Sequence, residues 1–212
     1  MGIVGAGLSG IELASELRES RSDLEILLYD RGPRILRNFP EKLSKYISKW
    51  FSKHDVTVVP NSVIDRVEPG KIYNNGQPED IDLVVWTAGI QPVEVVRNLP
   101  IDLSNTGRVI LNQYHQVPTY KNVYVVGDCA DLPHAPSAQL AELQGDQIAD
   151  VLKKQWNNES LPDKMPEIKI QGFLGSLGDK QGFAYIMDRT VTGRLASILK
   201  SGVLWLYKYH NG

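Results

Sequence analysis

Apolar and polar positions near the N-terminus follow the pattern of a strand, a turn and a helix. The apolar pair Ile3-Val4 leads into a glycine-rich stretch, and residues 11–20 then place apolar side chains at every third or fourth position. A second apolar run over residues 24–29 predicts another strand. This order predicts the first units of an α/β fold with parallel strands.

The middle of the chain continues the alternation of helix and strand once and then changes to short strand-like runs. Apolar side chains at helical spacing predict a second amphipathic helix over residues 41–54, and residues 56–59 predict a strand. Turn signals at Pro69-Gly70 and Asn75-Gly76 then separate short strand-like runs over residues 62–68, 71–73 and 83–86. These runs predict a β-meander in the place of a crossover helix.

Proline-containing stretches divide the second half of the chain. A boundary falls near residues 91–103, and Pro162 and Pro166 mark a linker. Between them the pattern predicts a strand over residues 123–126 and a helix over residues 137–155. Strand-like runs separated by glycines follow the linker, and a helix ends the chain.

Composition narrows the class of protein by exclusion. The 212 residues are 42% hydrophobic and 23% charged with a net charge of −2, which is typical of a globular protein and argues against nucleic acid as a partner. The single cysteine, Cys129, excludes an intramolecular disulphide, and the scattered histidines predict no metal site. Because no apolar window reaches the roughly 18 residues that cross a bilayer, and no secretory signal is recognised, we expect a cytoplasmic protein.

The glycine-rich stretch after the first strand predicts a dinucleotide site. In a strand–turn–helix context, Gly5 makes the turn, Gly7 lets the backbone approach a pyrophosphate, and Gly10 lets the helix pack closely on the sheet. The phosphates then lie at the positive end of the helix. We therefore predict a Rossmann-type NAD-binding domain whose motif residues are Gly5, Ala6, Gly7, Leu8, Ser9 and Gly10.

An acidic residue at the end of the second strand indicates the nucleotide preference. Asp30 follows Gly10 by twenty residues, where a carboxylate accepts hydrogen bonds from the adenosine ribose. Its charge would repel a 2′-phosphate, so we predict NAD over NADP, although the neighbouring Arg31 could partly reverse that preference. The alternative is a solvated acid at a strand end.

Three later segments carry a family resemblance by their order and spacing. Their sequences are Val85-Trp86-Thr87-Ala88-Gly89, Thr119-Tyr120-Lys121-Asn122-Val123-Tyr124-Val125-Val126-Gly127-Asp128 and Pro136-Ser137-Ala138-Gln139-Leu140-Ala141-Glu142-Leu143-Gln144-Gly145. Together they resemble the pyridine-nucleotide-dependent flavoproteins, and specifically the type II NADH dehydrogenases.

The resemblance implies roles for the residues in these segments. Ala88 and Gly89 would let the backbone pass close to the dinucleotide, and Gly127 and Asp128 would contact the ribitol or pyrophosphate of FAD. A buried carboxylate needs polar partners, and a ribitol hydroxyl can be one. The start of the last segment would face the isoalloxazine through Ala138, Gln139 and Gln144. The alternatives are an ordinary strand end for the first segment and a capping aspartate for the second.

The resemblance also implies an activity, with Glu12 as its candidate catalytic residue. Hydride would pass from NADH to FAD, and electrons would then pass to a quinone or to a protein such as ferredoxin. Relatives place an acid beside the nicotinamide where this chain has Glu12, which could orient the carboxamide. The alternative is that Glu12 forms a solvated helix face together with Glu16 and Glu19.

Two departures from the family pattern change these expectations. The family has a second glutamine where this chain has Leu143, which puts quinone reduction in doubt. The family also begins with an FAD-binding glycine motif about a hundred residues upstream, whereas only four residues precede Gly5. We therefore expect a piece of a longer protein that does not hold FAD tightly by itself.

Three domain ranges follow from the patterns and the resemblance. We predict the NAD(H)-binding domain with its meander in residues 1–95, part of an FAD-binding domain in residues 96–158, and a C-terminal α+β region in residues 159–212. The competing hypothesis for function is an NAD(H)-binding regulatory or interaction module without turnover, which would bind the nucleotide but lack diaphorase activity.

The terminal helix is basic and amphipathic. After Asp188 the chain carries arginine and lysine but no acid. Its apolar stripe consists of Leu195, Ile198, Leu199, Gly202, Val203, Leu206 and Tyr209. Such a helix can lie on the inner face of a membrane, as the resemblance implies, and the alternatives are dimer packing or docking onto the core.

Overall fold

The computed structural model describes residues 1–211, and the side chains at positions 204, 206, 207, 210 and 211 lie outside that description. The predicted stripe position Leu206 is therefore outside the described residues. The strands are β1 Gly2–Val4, β2 Ile26–Tyr29, β3 Val56–Val59, β4 Ile64–Glu68, β5 Lys71–Asn74, β6 Gln77–Asp80, β7 Val84–Trp86, β8 Gln116–Val117, β9 Tyr120–Tyr124, β10 Gly172–Leu177, β11 Gln181–Ile186 and β12 Arg189–Gly193. The helices are α1 Leu8–Ser20, α2 Glu41–Lys53, α3 Glu94–Arg97, α4 Ala138–Trp156 and α5 Arg194–Asn211, with a 3-10 turn at Gly127–Cys129.

The chain forms two compact units. The first joins residues 1–89 with the C-terminal segment from Gln171 onward, and the second comprises residues 90–170. The C-terminal strands and α5 thus belong with the dinucleotide-type unit, although the sequence patterns suggested a separate region from residue 159.

A parallel sheet forms the centre of the first unit, as the sequence predicts. Its strand order is β3-β2-β1-β7, with Ile3 of β1 opposite Leu28 on one side and Val85 on the other. The strand β1 is apolar and buried along its whole length because layers cover both faces of the sheet. The predicted α/β fold is confirmed.

An antiparallel meander, β4-β5-β6, stands between β3 and β7 in the chain. The predicted meander is present, but its third strand was wrongly assigned. Residues 84–86 belong to the parallel sheet as β7, whereas the third meander strand is β6, a polar segment that contains Pro78. Within β6, Glu79 accepts hydrogen bonds from the Tyr29 hydroxyl at 2.6 Å and from Asn74 Nδ2 at 3.0 Å. Burial and this carboxylate both raise the pKa of Tyr29.

The other face of the sheet is covered by α1, α2 and the C-terminal strands. Buried side chains from the parallel sheet, both helices and the strands β10 and β11 form one apolar core, among them Ile3, Ile11, Leu28, Leu43, Phe51, Leu177 and Phe183. The Tyr46 hydroxyl on α2 donates to Gln181 Oε1 at 3.0 Å, which fixes the C-terminal sheet on this core.

The terminal helix α5 packs on the C-terminal sheet through a face that the sequence did not indicate. Ala196 is fully buried, whereas Leu195 is 60% exposed and Ile198 is 68% exposed. The described stripe residues Leu195, Ile198 and Val203 are thus largely exposed, although the helix itself packs on the C-terminal sheet. None of the helices that the structure describes combines the length and apolar character that spanning a bilayer requires.

The second unit is built around the helix α4 and the β8-β9 hairpin. The helix begins after Ser137, whose hydroxyl caps it by accepting a hydrogen bond from the Leu140 N–H at 3.2 Å. The chain leaves β9 and enters the 3-10 turn at Gly127–Cys129. This turn places the predicted flavin residues Gly127 and Asp128 in a loop.

Candidate functional site

A cleft of about 590 Å³ opens at the carboxyl ends of β1, β2 and β7 in the first unit. Ligands of parallel α/β sheets bind at this edge. Of the predicted residues, those in its wall are Gly5, Ala6, Gly7, Asp30, Arg31, Ala88 and Gly89. Leu8, Ser9 and Gly10 form the first turn of α1 instead. The sequence motif and the cleft therefore coincide.

The three motif glycines meet different surroundings. A side chain on Gly10 would overlap the Gly5 carbonyl oxygen and would lie 2.9 Å from Thr87 Oγ1. Gly5 has a φ of +108°, and a side chain there would lie 2.9 Å from the Ala88 nitrogen. At Gly7, by contrast, no heavy atom outside the glycine and its two chain neighbours lies within 4 Å of the place that a β-carbon would occupy. Packing therefore requires glycine at positions 5 and 10, whereas the space beside Gly7 is open.

Thr87 fixes the glycine turn to the end of β7. Its N–H donates to the Val4 carbonyl at 2.9 Å. Its hydroxyl lies 3.0 Å from the carbonyl oxygens of both Val4 and Gly5. The turn is therefore held in place before any ligand binds, which lowers the entropy that binding would cost.

The N-terminus of α1 is open at this turn. The helix begins at Leu8, and its N-cap residue, Gly7, has no side chain that could cap the first turn. The first intrahelical bond from this end runs from the Ile11 N–H to the Gly7 carbonyl at 3.1 Å. The backbone N–H groups of the helix before Ile11 have no intrahelical acceptor, and together with the helix dipole they favour an anion at this end.

Asp30 connects the glycine turn to the loop after β2. Its Oδ2 accepts a hydrogen bond from the Ala6 N–H at 2.8 Å, and its Oδ1 accepts one from the Gly32 N–H at 2.7 Å. A carboxylate offers about four acceptor positions, so these bonds leave capacity for ribose hydroxyls. Asp30 thus has a structural task that the sequence did not reveal.

Glu12 lies on α1 but outside the cleft wall. Its Oε1 accepts hydrogen bonds from the Ser176 N–H at 2.8 Å, the Ser176 hydroxyl at 3.0 Å and the Lys200 ammonium at 2.5 Å. Burial by itself would raise the pKa of Glu12, but the bonds from Lys200 and Ser176 outweigh burial and hold it below its usual value. The carboxylate therefore joins α1 to β10 and α5, rather than forming a solvated face with Glu16 and Glu19.

Replacing Lys200 by methionine is expected to reduce stability in a pH-dependent manner. Because the pKa of Glu12 is lowered in the folded chain, the ion pair stabilises above the unfolded-state pKa and loses this effect as the pH falls through the folded value. The pair is about 30% exposed (Lys200 28%, Glu12 31%). The variant is therefore expected to lose only about 1 kcal/mol of unfolding free energy near pH 7. This loss should become smaller towards pH 3.

Urea unfolding between pH 3 and pH 7 measures this loss. The matched control is Lys200→Met in a Glu12→Gln background, where the effect should no longer vary with pH. A loss of equal size at every pH in the Glu12 chain would show that Lys200 acts through packing alone.

The predicted flavin residues lie together in the second unit. Gln144 is fully buried, and its Oε1 accepts a hydrogen bond from the Gly127 N–H at 2.9 Å. Its Nε2 has no partner in the described part of the chain. Ala138 and Asp128 are exposed and Gln139 is half-buried. Asp128 lies in the 3-10 turn Gly127–Cys129, which leaves its carboxylate exposed.

Comparison with known proteins identifies the family. The family model described as "Pyridine nucleotide-disulphide oxidoreductase" matches residues 1–145. The chain belongs to this family. The family resemblance that the motifs carry is confirmed.

Relatives of this oxidoreductase chain include NADH dehydrogenases. The NADH dehydrogenase-like protein YutJ of Bacillus subtilis is 57% identical over 99% of this chain and 59% of its own length. A type II NADH:quinone oxidoreductase of Staphylococcus epidermidis is 26% identical over 92% of this chain and 54% of its own length. The chain thus spans less than two thirds of these relatives.

Solved structures confirm the oxidoreductase fold. The structure of NDH2 from Plasmodium falciparum in complex with NADH matches 96% of this chain and 61% of its own, with a TM-score of 0.77 at 15% identity. Because the sequence identity is only 15%, this match is evidence for the fold alone.

The cleft wall of this oxidoreductase chain also contains residues that were not predicted as site residues from the sequence, among them Arg37, Asn38, Val63 and Trp86. Trp86 is 56% exposed, which is unusual for a strand residue of this size and offers a flat apolar wall. Arg37 had a weak signal, because Arg31, Arg34 and Arg37 recur at a spacing of three after Asp30.

Proposed function

We propose that this chain supplies the NADH-binding part of an FAD-dependent NADH dehydrogenase. The observation that carries the proposal is the space beside Gly7 at the uncapped N-terminus of α1. This position suits a pyrophosphate, which needs close approach to the backbone and favours the positive helix end. Asp30 borders the same cleft, where it can accept hydrogen bonds from the adenosine ribose.

The walls of the cleft also suit the rings of a dinucleotide. Val63 and Trp86 are half-exposed apolar side chains within it. Ala88 and Gly89 follow β7 without bulky side chains, so the backbone there can approach a ring closely. These features support a ligand with a charged centre and flat apolar ends.

The second unit offers groups that fit a flavin. The unpartnered Nε2 of Gln144 is a buried donor that lacks an acceptor in the described protein. Asp128 presents an exposed carboxylate directly after Gly127, whose N–H donates to Gln144 Oε1. We assign FAD binding to Gly127, Asp128 and the α4 residues Ala138, Gln139 and Gln144. When bound, FAD supplies the hydride acceptor and the route of electrons to a quinone or another acceptor.

The role proposed for Glu12 is to orient, not to transfer a proton. Its Oε1 already has three donors, and its lowered pKa keeps it ionised at neutral pH. An ionised carboxylate can accept a hydrogen bond from the nicotinamide carboxamide. The ion pair with Lys200 would keep the carboxylate in one position.

The electron acceptor and the membrane contact belong to the same proposal. The exposed apolar side chains of α5 lie on a helix with basic residues, which suits a peripheral contact with an anionic membrane surface. Co-sedimentation with anionic vesicles tests this contact, and recovery of all the chain in the supernatant would contradict it. Self-association through the same face is the alternative that light scattering would reveal.

Anaerobic mixing of NADH with the FAD-supplemented chain tests the proposed reaction. We expect the flavin absorbance to bleach on addition of NADH, because hydride transfer reduces the flavin. A chain that binds both FAD and NADH but leaves the flavin oxidised would contradict the enzyme proposal. That result would support the nucleotide-binding module without turnover.

A further inference from the structure

A single side chain joins the β-meander to the loop that follows β3. Asn75 stands in the hairpin turn between β5 and β6, and the loop consists of residues 60–63. Asn75 Nδ2 donates a hydrogen bond to the Asn61 carbonyl at 3.1 Å, and its Oδ1 accepts one from the Val63 N–H at 3.3 Å. The Asn75 N–H also donates to the Val63 carbonyl at 2.8 Å. The hairpin turn therefore holds the loop at two points.

This loop forms one wall of the cleft. Ser62 and Val63 line the cleft, and Val63 is 52% exposed, so its side chain is open to a ligand. Backbone bonds tie the loop to the segment after β2. The Ser62 N–H donates to the Asp30 carbonyl at 2.8 Å, and the Asn61 N–H donates to the Gly32 carbonyl at 3.0 Å. The wall thus stands beside the carboxylate at which the adenosine ribose is proposed to bind.

The conformation of the hairpin turn does not by itself explain the side chain of Asn75. Asn75 has a φ of +52° and Gly76 a φ of +75°, which is the left-handed backbone of a tight hairpin turn. Glycine adopts this backbone more readily than asparagine, so the turn has no need of a side chain at position 75. The Gly76 N–H also donates to Asp65 Oδ2 at 2.7 Å, which fixes the turn within the meander. The bonds from the Asn75 side chain therefore act on the loop rather than on the turn.

The order of the strands places the loop at one end of the cleft. Strand β3 lies beyond β2, whereas β7 lies on the other side of β1. A dinucleotide with its pyrophosphate at Gly7 would extend over β2 in one direction and over β7 in the other. Because Asp30 follows β2, Val63 borders the adenosine half and Trp86 borders the nicotinamide half.

We propose that Asn75 is a positioning residue for the adenosine half of the dinucleotide, because it holds Val63 as the wall on which the adenine ring lies. This inference rests on the proposed dinucleotide function of the cleft. A loop that moved freely would have to become ordered when the ligand binds, and the lost entropy would lower the affinity. The two side-chain bonds of Asn75 order the loop before the ligand arrives.

Titration of the Asn75→Gly variant with three ligands tests this role. The exchange keeps the left-handed turn and removes both side-chain bonds, while the backbone bond to Val63 remains. Affinity for NADH and affinity for AMP are expected to fall by the same factor of about five, which corresponds to about 1 kcal/mol. Affinity for reduced nicotinamide mononucleotide is expected to change less than about twofold, because this ligand lacks adenosine.

The same exchange at another left-handed asparagine is the matched control. Asn158 has a φ of +56°, is exposed, and belongs to the second unit. Asn158→Gly therefore removes an identical side chain from a similar backbone without touching the cleft wall. All three affinities are expected to equal those of the unaltered chain. Far-ultraviolet circular dichroism and thermal melting confirm that both variants fold.

A double-mutant cycle tests whether Asn75 acts through Val63. Val63→Ala shortens the apolar wall and is expected to weaken NADH and AMP about threefold. Adding Asn75→Gly to Val63→Ala should then weaken them less than about twofold further, because the side chain that Asn75 positions is already missing.

The outcomes distinguish this inference from the function on which it rests. Unchanged affinity for NADH and AMP in Asn75→Gly would overturn the inference and leave the proposed function standing. An equal loss for all three ligands would also overturn it, since that result indicates a general distortion of the cleft. Full additivity with Val63→Ala would overturn the route through Val63. Failure of the folded, unaltered chain to bind NADH or AMP would overturn both the inference and the proposed function.

Discussion

The Gly10→Ala variant is expected to lose about 2–3 kcal/mol of unfolding free energy, the upper range for an overpacked site, and with it NADH binding. The added methyl group would overlap the Gly5 carbonyl oxygen and lie 2.9 Å from Thr87 Oγ1. Both groups are fixed, because Thr87 holds the turn through hydrogen bonds to Val4 and Gly5. The helix α1 must therefore move away from the turn.

Urea unfolding compared with a second glycine variant checks this expectation. Gly145 lies inside the helix α4, and apart from its chain neighbours and the backbone of α4 itself no heavy atom stands within 4 Å of a β-carbon placed there. Gly145→Ala should thus gain about 0.5–1 kcal/mol from helix propensity. A Gly10→Ala chain as stable as the unaltered one would mean that α1 does not pack against the turn as closely as described.

The Gly7→Ala variant is expected to fold normally and to bind NADH at least about tenfold more weakly, a cost of about 1.4 kcal/mol or more. Gly7 has an ordinary extended backbone, and open space surrounds the position of the new methyl group. Its stability should change by less than about 1 kcal/mol, as for other exchanges at a helix N-cap. The methyl group would instead occupy the space proposed for the pyrophosphate.

Thermal melting and NADH titration of the same preparation separate the two effects. The contrast with Gly10→Ala is the control, since that variant should lose stability as well as binding. Unchanged NADH affinity in Gly7→Ala would contradict the placement of the pyrophosphate at this turn.

Local patterns predicted the elements around the cleft well. The strand β3 agrees with its predicted range of residues 56–59, and α2 ends one residue before its predicted end. The glycine motif also predicted the turn and the start of α1, because Gly10 must pass close to the Gly5 carbonyl, a contact between residues five positions apart. Such contacts leave a periodic signal in the sequence.

Contacts between distant residues left no such signal. The strand β6 is polar, and its Glu79 is explained only by Tyr29, fifty positions earlier. In the same way, Glu12 binds Lys200, which lies 188 positions later in the chain. The sequence patterns predicted a solvated or catalytic role for Glu12, but they did not indicate that it joins α1, β10 and α5. The face of α5 could not be predicted either, because Ala196 and Lys200 do not form an apolar stripe.

The candidate site likewise combines residues that local patterns predicted with residues that depend on contacts between distant parts of the chain. The motif predicted Gly5, Gly7 and Asp30 in the cleft wall, but Arg37 enters it only because the loop after β2 folds back over Gly32. The resemblance implied a flavin contact for Gln144, but it did not indicate that Gln144 Oε1 also accepts a hydrogen bond from the Gly127 N–H. Side-chain partners of this kind depend on the folded arrangement and not on spacing along the chain.

Calorimetric titration of the unaltered chain with NADH tests the central claim most directly, namely that the cleft at Gly7 is a dinucleotide site. We expect saturable binding of one NADH per chain, weakened in Gly7→Ala. No binding heat at any temperature tested, in a chain shown by melting to be folded, would contradict it.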